Sequence, residues 1–153
     1  MVYCHFACDL LSSLRRSVSI FEHKTLFIGS LMTKKLIVAN WKMNGSIAKV
    51  QSDLSVYAAN KATNAENVVI ALPHLYLSQG LNQASSSYKI ASQDVSQYAH
   101  SGAYTGEISS KMLAEFNVKY TIIGHSERRT YFNETDAILA KKLENSLSLG
   151  ITP

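Results

Sequence analysis

From Lys34 to its last residue the chain repeats one unit, in which a short β-branched apolar run is followed by a stretch with helical spacing and then by the next apolar run. The apolar runs are Lys35–Asn40, Val68–Leu72, Tyr88–Gln93 and Lys119–Gly124. Each is too short for a helix and lacks the polar alternation of a half-exposed strand, so each reads as a strand buried on both faces of a parallel sheet. Between them, Ser46 is placed to cap a helix running to about Asn60, where Ile47, Val50, Leu54 and Tyr57 make one apolar stripe. Further helices are expected over about 75–84, up to about Asn117, and over about 134–148, while Gly150–Pro153 resembles the start of a fifth strand. Four consecutive βα units imply parallel strands joined by crossovers, an α/β architecture.

Such a sheet carries its chemistry in the loops that follow the carboxyl ends of the strands. After the first strand come Asn40 and Lys42, a neutral donor and a mobile cation two residues apart, which suits an anionic ligand. Past the fourth strand, Gly124 precedes His125, whose imidazole can donate to a carbonyl oxygen as negative charge develops on it. Glu127 and Arg128 stand beside it as orienting or ion-pairing groups. The loop following the third strand, Ser101–Glu107, brackets Tyr104 and Thr105 with glycines; an exposed tyrosine there is a natural interface anchor. The remaining histidines, His5, His23, His74 and His100, read as surface residues.

Composition narrows the partners. A formal net charge of +4 is dispersed along the chain, with basic pairs such as Arg128-Arg129 and Lys141-Lys142 far apart, so a small anionic ligand fits better than nucleic acid. No apolar stretch approaches the ~18 residues of a membrane span. Both cysteines, Cys4 and Cys8, lie in the first ten residues. This excludes a disulfide framework, leaves a zinc site without its second ligand pair, and suits a reducing, cytoplasmic setting. Residues 1–31 show neither strand nor helix period, and Asp9 interrupts what would be a signal sequence. They are expected to be an atypical disordered extension, or upstream sequence, with the structured domain covering 32–153.

Three segments together carry a resemblance to a known family. Ala39–Asn44 (ANWKMN), Gly102–Glu107 (GAYTGE) and Ile123–Arg129 (IGHSERR) resemble, in order and spacing, the signature segments of triosephosphate isomerases. The resemblance covers about residues 34–153 and implies a (β/α)8 TIM barrel of which the first four units, a half-barrel, are present. It implies that Asn40 and Lys42 bind a triose phosphate, and that His125 is the electrophile polarising its carbonyl. This family is the standard illustration of a neutral imidazole in that role. By the same resemblance Glu127 is a supporting catalytic carboxylate, and no metal or organic cofactor is needed. Tyr104, Thr105, Glu107 and Arg128 become homodimer-interface residues, with Thr105 buttressing the other copy's Asn40 and His125 and Glu107 pairing with its Arg128. A whole barrel takes eight units and ~250 residues. The family's base, a glutamate after the sixth strand, has no counterpart here, so the expectation is a truncated isomerase that is inactive as written. The alternative is a non-catalytic half-barrel that associates with partner chains.

Overall fold

The computed structural model describes residues 35–59, 67–84 and 88–153; the expectation for residues 1–31 lies outside them. Four strands, β1 (Ile37–Asn40), β2 (Val68–Leu72), β3 (Lys89–Ser92) and β4 (Tyr120–Thr121), form one sheet in the order β1-β2-β3-β4. All three pairings are parallel, with Val38 opposite Val69, Ala71 opposite Ala91, and Ala91 opposite Tyr120. This is the α/β arrangement expected of consecutive βα units. Past β4, Thr152 bridges Tyr120 in parallel, and Thr121 N–H donates to the Thr152 carbonyl at 3.0 Å. The outer edge of β4 is therefore partly paired, and the fifth apolar run does begin a strand-like pairing.

Helix starts follow local chemistry. Helix α1 (Ile47–Ala59) begins where Ser46 Oγ accepts the Lys49 N–H at 3.1 Å, and a Lys49–Asp53 pair at 2.7 Å supports its first turns. Pro73 stops β2, and a 3-10 turn (His74–Tyr76) leads into α2 (Leu77–Gln83). Helices α3 (Ser110–Glu115) and α5 (Asp136–Ser148) are capped by Ser109 and Thr135. One helix, α4 (Ser126–Phe132), adds to the elements expected from the sequence.

The sheet separates two packing layers. On the helix side Val50, Leu54, Ile70, Leu72, Leu77, Tyr88, Ile90, Leu113 and Val118 form the main core. Each such side chain taken from water contributes about 1.5–3 kcal/mol. Gly80 lets α2 approach β2, because a Cβ there would stand 2.5 Å from Leu72 Cδ1. On the opposite face Val69, Ala71 and Ala91 are buried beneath Tyr120 and Ile122.

Two expectations need correction. Strand β1 is not buried on both faces: Leu36, Ile37 and Val38 are exposed, and among the described residues β2 is its one partner strand. The α1 stripe is buried at Val50 and Leu54, whereas its ends are exposed, Ile47 at 70% and Tyr57 at 40%.

Candidate active site

Because the strands are parallel, the carboxyl ends of β1 and β4 open on the same edge of the sheet, and the residues following them converge there. Trp41 N–H donates to the Ala71 carbonyl at 3.1 Å, extending β1 by one rung, and Lys49 Nζ lies 5.5 Å from the centre of the Trp41 ring. The chain then turns sharply. Asn40 Oδ1 accepts the Lys42 N–H at 2.9 Å, and Asn44 Nδ2 donates to the Trp41 carbonyl at 3.0 Å. Lys42 itself adopts φ +55°, a left-handed conformation costing a residue with a Cβ on the order of 1 kcal/mol. The strain aims the lysine along the sheet edge toward β4.

After β4, Gly124 at φ +72° makes the turn into α4, and a Cβ there would meet Leu139 Cδ1 at 3.0 Å. His125 caps α4, its Nδ1 accepting the Glu127 N–H at 3.1 Å. A nitrogen that accepts this bond carries no proton, so the hydrogen-bond network assigns a neutral ring whose remaining donor is Nε2–H. Glu127 Oε1 lies 2.6 Å from Lys42 Nζ, and its Oε2 is 3.7 Å from His125 Nδ1, beyond hydrogen-bond range. The hydrogen bond from Lys42 holds the Glu127 carboxyl below the usual carboxylate range, with burial opposing. A pair this exposed contributes little to stability. It is better understood as an arrangement that keeps a cation, a carboxylate and an imidazole together at an open edge.

A second set of charges lies behind α4 and was missed in the sequence. Lys142 Nζ is 2.6 Å from Asp94 Oδ1 and 2.6 Å from Glu134 Oε1, although the lysine is 4% exposed. Arg128 completes the ring, with Nε 2.6 Å from Glu134 Oε1 and its terminal nitrogen 2.9 Å from Asp94 Oδ2. Burial pushes the Asp94 carboxyl up despite Lys142. Burial acts likewise on Glu134, but hydrogen bonds from Lys142 and Arg128 outweigh it and hold that carboxyl below its ordinary range. Glu134 has hydrogen bonds from both cations set against its burial, whereas Asp94 has that of Lys142 and feels the negative charge of Glu134. Arg128 thus takes part in an intrachain network while its side chain stays 31% exposed. One reading is corrected here: His74, expected at the surface, is half-buried, with Nε2 2.9 Å from the Asp94 carbonyl. No sequence signal joined these groups, since Lys142 reads as half of a surface basic pair.

In the 101–107 loop Tyr104 stacks on Tyr98, with ring centres 3.7 Å apart and planes 7° from parallel. Among the described residues, no hydrogen bond or ion pair joins the side chains of Tyr104, Thr105 or Glu107 to Asn40, Lys42 or His125. A depression of about 560 Å³ lined by Ile47, Leu75, Tyr76 and Gln79 shares no residue with the candidate site. Among the described residues, no group of histidine, cysteine and carboxylate side chains could hold a metal ion, and no helix is long and apolar enough to cross a membrane.

Fold and site together define a parallel β/α protein in which a lysine, a glutamate and a histidine meet at the carboxyl edge of the sheet. The family model described as triosephosphate isomerase matches residues 35–153. The triosephosphate isomerase of Delftia acidovorans is 48% identical over 125 residues, covering 80% of this chain and 50% of that protein. Those of Herminiimonas arsenicoxydans and Colwellia psychrerythraea are 46% and 43% identical, covering 80% of this chain and 49% and 50% of theirs. The chain belongs to the triosephosphate isomerase family, and it spans about half the length of the curated relatives it matches.

Proposed function

We propose that residues 35–153 supply the electrophilic half of a triosephosphate isomerase site, acting in the interconversion of dihydroxyacetone phosphate and glyceraldehyde 3-phosphate. The observation that carries this is the contact set in which strained Lys42 meets Glu127 at 2.6 Å while Glu127 N–H fixes His125. Asn40 and Lys42 bind the substrate, and the lysine offsets negative charge at the phosphate and on the enediolate. His125 Nε2–H donates to the carbonyl oxygen as it becomes an oxyanion and moves protons between the two oxygens. Glu127 keeps Lys42 in place. Transfer of a proton between the two carbons also needs a carboxylate base held over them. Glu127 is committed to Lys42, so that base comes from outside the described residues. No metal or organic cofactor enters this scheme.

In this reading the working form is a cytoplasmic homodimer. Tyr104 anchors the interface, Thr105 supports the other copy's Asn40 and His125, and Glu107 pairs with the other copy's Arg128. A polypeptide limited to residues 1–153 should show no meaningful turnover; a rate near that of complete family members would refute the division of labour. In a protein that includes this segment and turns over substrate, His125→Gln should lower kcat by about 10²–10³-fold with little change in KM. A rise in KM at unchanged kcat would remove His125 from the electrophile role. The exposed β1 edge at Ile37 and Val38 favours a second reading, in which the 153-residue chain is non-catalytic and associates with other chains. Sedimentation as a well-behaved monomer would remove it.

A further inference from the structure

Helix α4 has no buried residue, and at seven residues it is too short to stand on its own hydrogen bonds. Its firmest link to the rest of the protein is Arg128. The guanidinium is pinned at two points, Nε 2.6 Å from Glu134 Oε1 and Nη2 2.9 Å from Asp94 Oδ2. Two contacts on one planar group fix its orientation as well as its distance. The two carboxylates are themselves anchored, since Lys142 Nζ stands 2.6 Å from each. Arg129 also reaches Asp136, but that pair is open to water and holds less. From Arg128 the backbone leads directly to the cap. Arg128 N–H donates to the His125 carbonyl at 2.9 Å, Arg129 N–H donates to the same oxygen at 3.2 Å, and Glu127 N–H donates to His125 Nδ1 at 3.1 Å. His125 and the first turn of α4 are therefore one hydrogen-bonded unit, and the clamp on Arg128 fixes where that unit sits.

We propose that Arg128 is a positioning residue for His125: clamped between Asp94 and Glu134, it holds the first turn of α4 so that Glu127 N–H stays on His125 Nδ1 and the ring keeps its single proton on Nε2. This role serves isomerase chemistry on the reading that His125 is the electrophile, because an oxyanion is best met by an N–H whose place is set in advance. Geometry matters here more than charge. A lysine in place of Arg128 would keep the cation but lose the fork, since one ammonium cannot present two nitrogens in a fixed plane.

The test is Arg128→Lys in the full chain, with histidine labelled by nitrogen-15 and spectra taken at pH 8. His125→Gln identifies the His125 signals by their loss. In the unaltered chain the two ring nitrogens should be widely separated, one bearing a proton and the other accepting. In Arg128→Lys they should move toward each other as the second tautomer is admitted, and the Glu127 amide should exchange several-fold faster. That amide lies between the side chains of Ser126 and Glu127, which the substitution leaves alone, so intrinsic exchange cancels. Ring nitrogens that stay as far apart in a folded Arg128→Lys, or that already coincide in the unaltered chain, would overturn the role. Should Arg128→Lys not fold by circular dichroism, Asp94→Asn takes the charge from one arm of the clamp at unchanged size. The same approach of the two signals is expected there, and its absence would overturn the role. Neither measurement involves turnover, so a failure here leaves the electrophile reading standing, and the kinetics of His125→Gln test that reading separately.

Discussion

Replacing Lys142 by methionine should be among the most damaging single changes available to this chain. The side chain is almost wholly buried and gives a 2.6 Å bond to each of two carboxylates, so its removal leaves Asp94 and Glu134 with Arg128 as their one cation. Methionine preserves the packing of the stem and isolates the loss of charge. Breaking a buried pair from one side costs about 3–5 kcal/mol, against a total stability for a domain of about 5–15 kcal/mol. The midpoint of thermal unfolding, followed by circular dichroism, should fall by roughly 10 °C or more at pH 7.5. The sign of the pH dependence is a sharper check. In the unaltered chain Glu134 titrates below its ordinary range, so its contribution is present above the ordinary value of 4.5 and lost as pH falls through the lower folded value. In Lys142→Met the two carboxylates are left to share Arg128, their titration moves up, and protonation relieves the excess negative charge. The stability gap between the proteins should therefore narrow as pH is lowered from 7.5 toward 4.5. A loss under about 1 kcal/mol, or a gap that stays constant across that range, would refute the reasoning.

Two smaller changes probe packing. Gly80→Ala places a methyl 2.5 Å from the buried Leu72 Cδ1, and the overpacking should exceed the helix-propensity gain, for a net loss of about 1 kcal/mol in chemical denaturation. A more stable variant would mean that α2 can move off the sheet. Tyr88→Phe removes a hydroxyl that donates to the Gln83 carbonyl at 2.7 Å, and should cost about 1 kcal/mol by the same measurement; an unchanged midpoint would assign the ring's value to burial alone.

Chemistry that is local in the chain was legible in the sequence. Ser46 caps α1 because its hydroxyl is three residues from the N–H it accepts, and Pro73 stops β2 where the missing N–H and fixed φ demand it. Helix α4 was hidden because its residues, Ser-Glu-Arg-Arg-Thr-Tyr-Phe, show no apolar stripe. It is held by its ends instead, by the His125 cap and by Asn133 at φ +55°. The burial of β1 was misjudged because periodicity reports how apolar a strand is and says nothing about whether a neighbour stands beside it. The Lys142 cluster was invisible for a related reason: Asp94 and Lys142 are 48 residues apart, and a lysine on a helix looks the same in sequence whether it meets water or a carboxylate.

Lys42 and Glu127 are 85 residues apart, and their meeting follows from topology more than from either local motif. In a parallel sheet every strand delivers its carboxyl end to the same edge, so a loop after β1 and a loop after β4 share one rim. Two devices then carry the groups across the intervening strands: the left-handed backbone at Lys42 aims a long side chain along the rim, and α4 begins at His125 with Glu127 in its first turn. The buried cluster acts one residue further on, gripping Arg128 from both sides, so that the helix turn bearing His125 and Glu127 is held by α5 and the end of β3. Lys142 and Glu134 of the cluster are thus buried, while Lys42 and Glu127 remain open to solvent at the rim. If that division is right, removing Lys142 should change stability far more than removing Lys42. The reverse order would mean that the exposed pair, and not the enclosed cluster, holds α4 in place.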